Sequence, residues 1–409
     1  MHESTRMIAG EPAQAWLRML ASLWLMMIGS AGMYVVTVVL PAVQAEFGVS
    51  RSDASLPYTL TMIGFGLGGI AMGRLADRFG IVLPLTIGAV SLAAGFSLAS
   101  MAPGLLAFSA IQGLLIGFLG CSATVGPLVA DTSLWFTRRR GIAVAICASG
   151  NYLAGTVWPP ITEAMIAAWG WRDAYRVIGL VSILAMLPVG ALLRARAPAR
   201  QPGAPVGASA QAGFSMSPNA ATSLLAIAGV GCCVAMAMPQ VHIVAYCGDL
   251  GYGAASGARM LSLMLAFGIV SRLVSGLVCD RIGGLRTLLL GASLQALALV
   301  LFLPFDGIVQ LYLISALFGL FQGGIVPSYA IIVREHFPPA QAGARVGIVL
   351  MATLLGMALG GWASGRIFDL TGSYQAAFVH GIGWNLVNIA IVVFLMHRSR
   401  QGRAAAVVA

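Results

Sequence analysis

The stretch Gly73-Arg74-Leu75-Ala76-Asp77-Arg78-Phe79-Gly80 decides the reading of this chain, because it occurs twice. A second version, Gly276-Leu277-Val278-Cys279-Asp280-Arg281-Ile282-Gly283-Gly284, lies 203 residues further on, about half the chain away. Each copy follows an apolar run of helical length. A transmembrane helix needs about 20 mostly apolar residues. Twelve such runs can be read, near 17–43, 54–73, 82–102, 103–130, 141–168 and 172–193, then 219–246, 256–279, 287–305, 307–333, 346–365 and 374–397. The Asp-Arg pairs follow the second and the eighth run, the same place in two sets of six. A unit repeated in register is the sign of a duplicated bundle. Residues 194–218, rich in Arg, Pro, Gly, Ala and Ser, have linker composition and divide the sets. The expected fold is therefore an all-α membrane protein with twelve transmembrane helices in two pseudo-symmetric six-helix halves. Its parts are a terminal segment 1–16, the halves 17–193 and 219–397, the linker 194–218 and a tail 398–409.

Composition agrees. Of 409 residues, 59% are apolar and 9% charged, and mean hydropathy is +0.91. A soluble globular chain has roughly 45–50% apolar and about 25% charged residues. Too little charge remains to wet a soluble surface, which excludes a soluble enzyme, a disordered protein and a disulfide scaffold. Gly is frequent, at 51 residues, as in membrane helices. The first run is too long for a cleaved leader, and acid-containing sequence precedes it.

All 23 basic residues are arginine, and the net charge is +10. With the N-terminus inside, 17 arginines fall in cytoplasmic segments and five outside. That asymmetry places both termini in the cytoplasm and leaves no single basic surface for nucleic acid. The six cysteines lie in or beside apolar runs and form no C-x-x-C pair, so neither a metal nor a cofactor is implied. Gly64-Phe65-Gly66-Leu67-Gly68-Gly69 fits G-x-G-x-x-G but sits mid-span, where a dinucleotide loop cannot form. It reads as a close-packing face, as do the pairs Gly69/Gly73, Gly113/Gly117, Gly356/Gly360 and Gly361/Gly365. No nucleophile–base arrangement or phosphate loop suggests an enzyme.

The repeated motif has legible chemistry. Its glycines admit a neighbouring helix. Its aspartates can cap the next helix or pair with arginine across the cytoplasmic surface. Asp77, Arg78, Asp280 and Arg281, with Arg74, are the candidate gating residues, a latch that opens when the halves rock. The bland alternative is a solvated loop that only sets topology.

At these residues the chain resembles the major facilitator superfamily, over roughly 17–397. Further motifs narrow the resemblance: Trp135-Phe136-Thr137-Arg138-Arg139-Arg140-Gly141-Ile142-Ala143 with Ala148-Ser149-Gly150, Gly170-Trp171-Arg172, and Gly365-Arg366-Ile367-Phe368-Asp369-Leu370-Thr371-Gly372-Ser373-Tyr374. Together these look like the monocarboxylate transporter and oxalate/formate antiporter branch. The resemblance implies carriage of small organic anions by alternating access.

Ionisable groups inside the spans are few. Arg272 lies mid-way along the eighth run, where a charge costs about 2.5–3.5 kcal/mol on insertion scales, so it is a functional candidate by default. Its neighbours Gly268, Ser275 and Gly276 are small and leave room beside a guanidinium that can grip a carboxylate through two parallel bonds. Pairing with protein carbonyls or another acid is the competing reading. The resemblance makes Arg272 the carboxylate anchor, with two departures. Animal-type carriers place an aspartate one turn earlier, where Gly268 stands, and a lysine in the first span, whereas this chain has no lysine. Oxalate carriers place a second cation in span eleven, and 346–365 has none. One cation suits a monocarboxylate.

Candidate cavity residues are Tyr34, Asn151, Tyr152, Tyr329, Asn385, Asn388 and His242, each weighed against plain helix–helix contact. The Gly323-Gly324-Ile325-Val326-Pro327-Ser328 run before Tyr329 is expected to bend its helix around the site. Asp131 and Glu163 read as ion pairs near an interface. The expected function is a secondary active transporter of a 2-hydroxy, 2-oxo or short-chain acid, proton-coupled or exchanging, monomeric, in a bacterial inner membrane. A drug or metabolite exporter is the alternative within transport; a non-transporting sensor or scaffold is the alternative outside it.

Overall fold

The computed structural model describes residues 13–136, 139–195 and 214–408. Most of the expected linker and of the segment 1–16 lies outside these. Among the described residues, twelve helices are long and apolar enough to cross a membrane. They are α1 (Ala13–Phe47), α2 (Arg51–Phe79), α3 (Val82–Ala99), α4 (Leu105–Trp135), α5 (Arg140–Trp169) and α6 (Trp171–Arg194), then α7 (Pro218–Asp249), α8 (Ala254–Ile282), α9 (Gly284–Leu301), α10 (Ile308–His336), α11 (Gln341–Thr371) and α12 (Tyr374–Gln401). Each overlaps one apolar run. Several extend past it, because helix continues into the polar flanks where hydropathy falls.

The repeated motif ends α2 and α8 in the same way. Gly80 and Gly283 both take φ +84°, and their N–H groups each reach back 2.8 Å to the carbonyls of Ala76 and Cys279. A Cβ is strained at that backbone geometry, which is why glycine occupies both positions. The chain turns at once into α3 or α9. The helix start at Gly284 is not capped by Asp280, contrary to expectation. Its N–H donates to both carboxylate oxygens of Glu335, at 3.1 Å each.

The two halves repeat one packing scheme. α1 packs on α5, α2 on α4 and α3 on α6; correspondingly α7 packs on α11, α8 on α10 and α9 on α12. Between the halves, α5 meets α8 and α2 meets α11, and these two contacts are related by the same two-fold scheme. A duplicated sequence dictates this, since like faces find like partners.

Apolar helices in lipid gain little from burying more apolar surface, so close backbone approach carries the packing. A Cβ on Gly64 or Gly68 would overlap the carbonyl oxygens of Gly113 or Phe118 in α4, and one on Gly117 would lie 2.7 Å from the Thr61 carbonyl oxygen. The second half repeats this. A Cβ on Gly319 would overlap the Met264 carbonyl, one on Gly323 the Gly268 carbonyl, and one on Gly324 the Ser275 side chain. The break in α10 at Gly323-Gly324 therefore lets α10 lie against the backbone of α8. These glycines do not face a central site, as the sequence suggested. Gly356 and Gly360 pack on α7, and Gly361 and Gly365 on α7 and α2. Gly69 and Gly73 meet nothing within 4 Å, so that pair is not a packing face.

Replacing Gly319 with alanine should force α10 off α8 and lower stability by about 1–3 kcal/mol, read as a lower melting temperature of the purified protein. Gly73→Ala, with open space beside it, should melt like wild type.

Candidate functional site

Hydrogen bonds between the halves, among the described residues, all lie from mid-membrane toward one end, the end remote from the Asp77 and Asp280 turns. Nearest the middle, Arg272 Nη1 donates to the Ala148 carbonyl at 3.1 Å. About two to three turns beyond, Ser262 Oγ donates to the Thr156 carbonyl. On the two-fold related contact, Thr59 Oγ1 donates to the Ala358 carbonyl at 3.2 Å.

At the far end Arg51 forms a lock across the halves. Asp369 accepts the backbone N–H groups of Arg51 (2.8 Å) and Ser52 (2.9 Å), capping the short helical turn that opens α2. The Arg51 guanidinium donates to Tyr374 Oη at 2.9 Å and to Asp249 at 3.2 Å, and lies over the Phe368 ring at 4.7 Å. Arg51 is 8% exposed. Behind it, His242 Nε2 lies 2.7 Å from the Gly361 carbonyl and Nδ1 lies 3.2 Å from Tyr374 Oη. A carbonyl only accepts, so Nε2 carries the hydrogen, and Nδ1 of the neutral ring accepts from the tyrosine. The chain thus runs from Arg51 through Tyr374 and His242, each donating to the next, and ends on the accepting Gly361 carbonyl. His242 belongs to this closed end and is absent from the cavity wall. Sequence reading counted Arg51 only as a topology charge. Asp369 lay in a quoted motif, but its partners are more than 300 residues away in sequence.

At the opposite end, Asp77, Arg78, Asp280, Arg281 and Arg74 form no ion pair with one another or with any other described residue; Arg78 lies 5.1 Å over the ring of its neighbour Phe79. Asp131 does pair, with Arg18 at 2.8 Å. Glu163 has no ion pair among the described residues.

Between the two ends lies a cavity of about 460 Å³ walled by α1, α2, α4, α5, α7, α8, α10 and α11. Arg272 faces into it and is the single charged residue on its wall among the described residues. The guanidinium sits 4.4 Å over the Tyr152 ring, while Nε is buried with no hydrogen-bond partner. Gly268 makes this arrangement possible: a Cβ there would lie 2.5 Å from the Tyr152 ring. An aspartate at this position could not coexist with the ring under the arginine, which accounts for the departure seen in sequence. Tyr34 and Asn151 also line the cavity. Tyr34 Oη donates to Asn151 Oδ1 at 2.8 Å, and Asn151 Nδ2 donates to Ser30 Oγ at 3.2 Å. Ser30 sits at the break in α1.

Four of the candidates thus come together: Arg272, Tyr152, Tyr34 and Asn151. The others do not. Tyr329, Asn385 and Asn388 are fully buried away from the cavity. Tyr329 Oη donates to Asn388 Oδ1 at 2.9 Å, Asn388 Nδ2 to Asn385 Oδ1 at 3.4 Å, and Asn385 Nδ2 to the Ala292 carbonyl at 2.9 Å. This polar chain ties α10, α12 and α9 together. The physical reason is the α10 break, which seats the helix on α8 and turns Tyr329 to the rear. Sequence reading missed Gln240 and Tyr58, both on the wall, and the five methionines described below.

A family model described as Major Facilitator Superfamily matches residues 23–309 and again 273–407. The chain is 29% identical over 330 residues to monocarboxylate transporter 13 of Bos taurus, covering 79% of this chain and 75% of that protein. It is 24% identical over 323 residues to the agnestins efflux protein AgnL12 of Paecilomyces divaricatus, covering 78% and 73%. A crystal structure of the peptide transporter POT in complex with sulfate has the same fold, with a TM-score of 0.74 at 14% identity over 97% of this chain and 96% of that one.

Because Asp369 satisfies two N-terminal N–H groups of another helix, Asp369→Ala should cost about 1–2 kcal/mol. Glu163→Gln, which breaks no ion pair, should leave the melting temperature unchanged.

Proposed function

The chain belongs to the Major Facilitator Superfamily, and from that premise we propose that it carries a monocarboxylate anion across the membrane by alternating access, with Arg272 as the anchor. One observation carries this reading. A mid-span guanidinium faces the central cavity with no carboxylate against it and with Nε unmatched. A buried N–H of a charged group left without an acceptor costs more than the 1–3 kcal/mol of a neutral one. A carboxylate that takes the Nε–Nη2 edge through two parallel bonds relieves that cost. Nη1 is already committed to Ala148, so the grip has one orientation. Tyr152 fixes the guanidinium from below, and Tyr34 and Asn151 offer polar contacts beside it.

The present state is open toward the Asp77 and Asp280 turns and closed at the Arg51 lock. The arginine asymmetry favours assigning the open end to the cytoplasm, with both termini there. In the opposite state the lock separates and the Asp77/Arg78 and Asp280/Arg281 turns draw together. Energy comes from a proton gradient or from exchange. The fungal efflux relative supports a second reading, a drug or metabolite exporter, in which Arg272 has no substrate role.

Arg272→Lys keeps the charge but loses the two-point grip. In proteoliposomes it should reduce carboxylate uptake by about tenfold or more, with the amount of folded protein unchanged. Wild-type uptake by that variant would overturn the anchor. Export of neutral compounds indifferent to the substitution would favour the efflux reading.

A further inference from the structure

We propose that the carried acid has a bulky apolar body, such as a medium-chain or aryl-substituted monocarboxylate, and is not a short hydroxy or oxo acid. This rests on the carboxylate reading of Arg272 and narrows it. The argument begins with size. A cavity of about 460 Å³ falls in the range of roughly 300–1,000 Å³ that accommodates drug-sized ligands. A three-carbon acid gripped at Arg272 would leave most of that space to water, against walls that offer water little.

Those walls are the second observation. Met33, Met62, Met236, Met351 and Met357 all line the cavity. Thioether side chains are flexible and polarisable, and they shape themselves around irregular apolar ligands. Phe65, Leu265, Leu350 and Leu354 complete the apolar surface. Leu265 lies two turns, about 10 Å, beyond Arg272 toward the closed end. A carboxylate held at the guanidinium therefore has apolar wall on its far side for a tail of several carbons. A short polar acid covers little of that apolar wall; its hydroxyl can still meet Tyr34, Thr37, Tyr58 or Gln240, so it is the uncovered apolar area that favours the longer acid.

The third observation identifies what keeps the space open. Gly66 lies on the wall, and a Cβ there would come 2.7 Å from Met351 Sδ and 3.1 Å from a Leu354 methyl carbon. Gly66 and Met351 face one another across α2 and α11, so the missing side chain at 66 sets the width available to the tail. These two positions determine chain-length specificity.

The test measures binding in lipid nanodiscs and counterflow in proteoliposomes, with lactate, butyrate, octanoate and phenylpyruvate as probes. Octanol and octanamide serve as tail-only controls. Affinity should rise about fourfold for each methylene between butyrate and octanoate. It should fall at least tenfold in Arg272→Lys and be absent for the two uncharged controls. Gly66→Leu should weaken octanoate and phenylpyruvate while sparing butyrate. Met351→Trp should do the same, and covers the case in which the first variant does not fold. If lactate binds as tightly as octanoate, with both dependent on Arg272, the apolar-body inference fails while the monocarboxylate reading stands. If octanol binds like octanoate and Arg272→Lys changes neither, the carboxylate reading fails and this inference with it.

Discussion

An arginine in the middle of a bilayer-spanning bundle needs neighbours that hold it without neutralising it. Here α5 supplies both. The Ala148 carbonyl takes one N–H, and the Tyr152 ring lies beneath the guanidinium plane. Neither contact removes the positive charge, because a carbonyl and a ring quadrupole carry no net charge. The arrangement spans the two halves, with the arginine on α8 and its supports on α5. The cavity, the close approach of those helices and the absence of a side chain at Gly268 all follow from accommodating that group.

The halves share one plan but meet unequally along their length. The hydrogen bonds of the α5–α8 and α2–α11 contacts run from the middle to the same end, where a backbone-capping carboxylate and a buried arginine join the halves. The signature turns at the other end share one glycine φ in both copies and have no ion pair across the gap among the described residues. The surface-exposed part of the lock contributes little, since Asp249 is 38% exposed and such pairs are worth at most about 1 kcal/mol. The Asp369 bonds to main-chain N–H groups are the stronger tie, because both donors would otherwise be orphaned at a helix start.

Much of this was legible in one dimension. Twelve spans, the duplication and the arginine at 272 follow from hydropathy, spacing and the expense of an intramembrane charge. What sequence could not give was the direction each side chain faces. A helix apolar on all sides carries no moment that tells rear from front, so Tyr329 and Asn388 read as cavity residues when they bind each other behind it. The lock escaped for another reason. Arg51 and Asp369 each look like ordinary loop charges, and their pairing depends on a two-fold arrangement that brings opposite ends of the chain together. The Asp77 and Asp280 turns, without an ion pair among the described residues, show that a motif does not reveal which partner it holds in a given state.

The glycine seams between α2 and α4 and between α8 and α10 have a mechanical corollary. Where carbonyl oxygens of one helix rest in the bare grooves of another, no lubricating side chain remains to let them slip. Each pair is then a single stiff stave. Any reorientation of one half against the other has to be taken up at the joints between them, α5 against α8, α2 against α11 and α1 against α7. Arg272 sits on one of those joints, so whatever it holds is placed where the moving parts pivot.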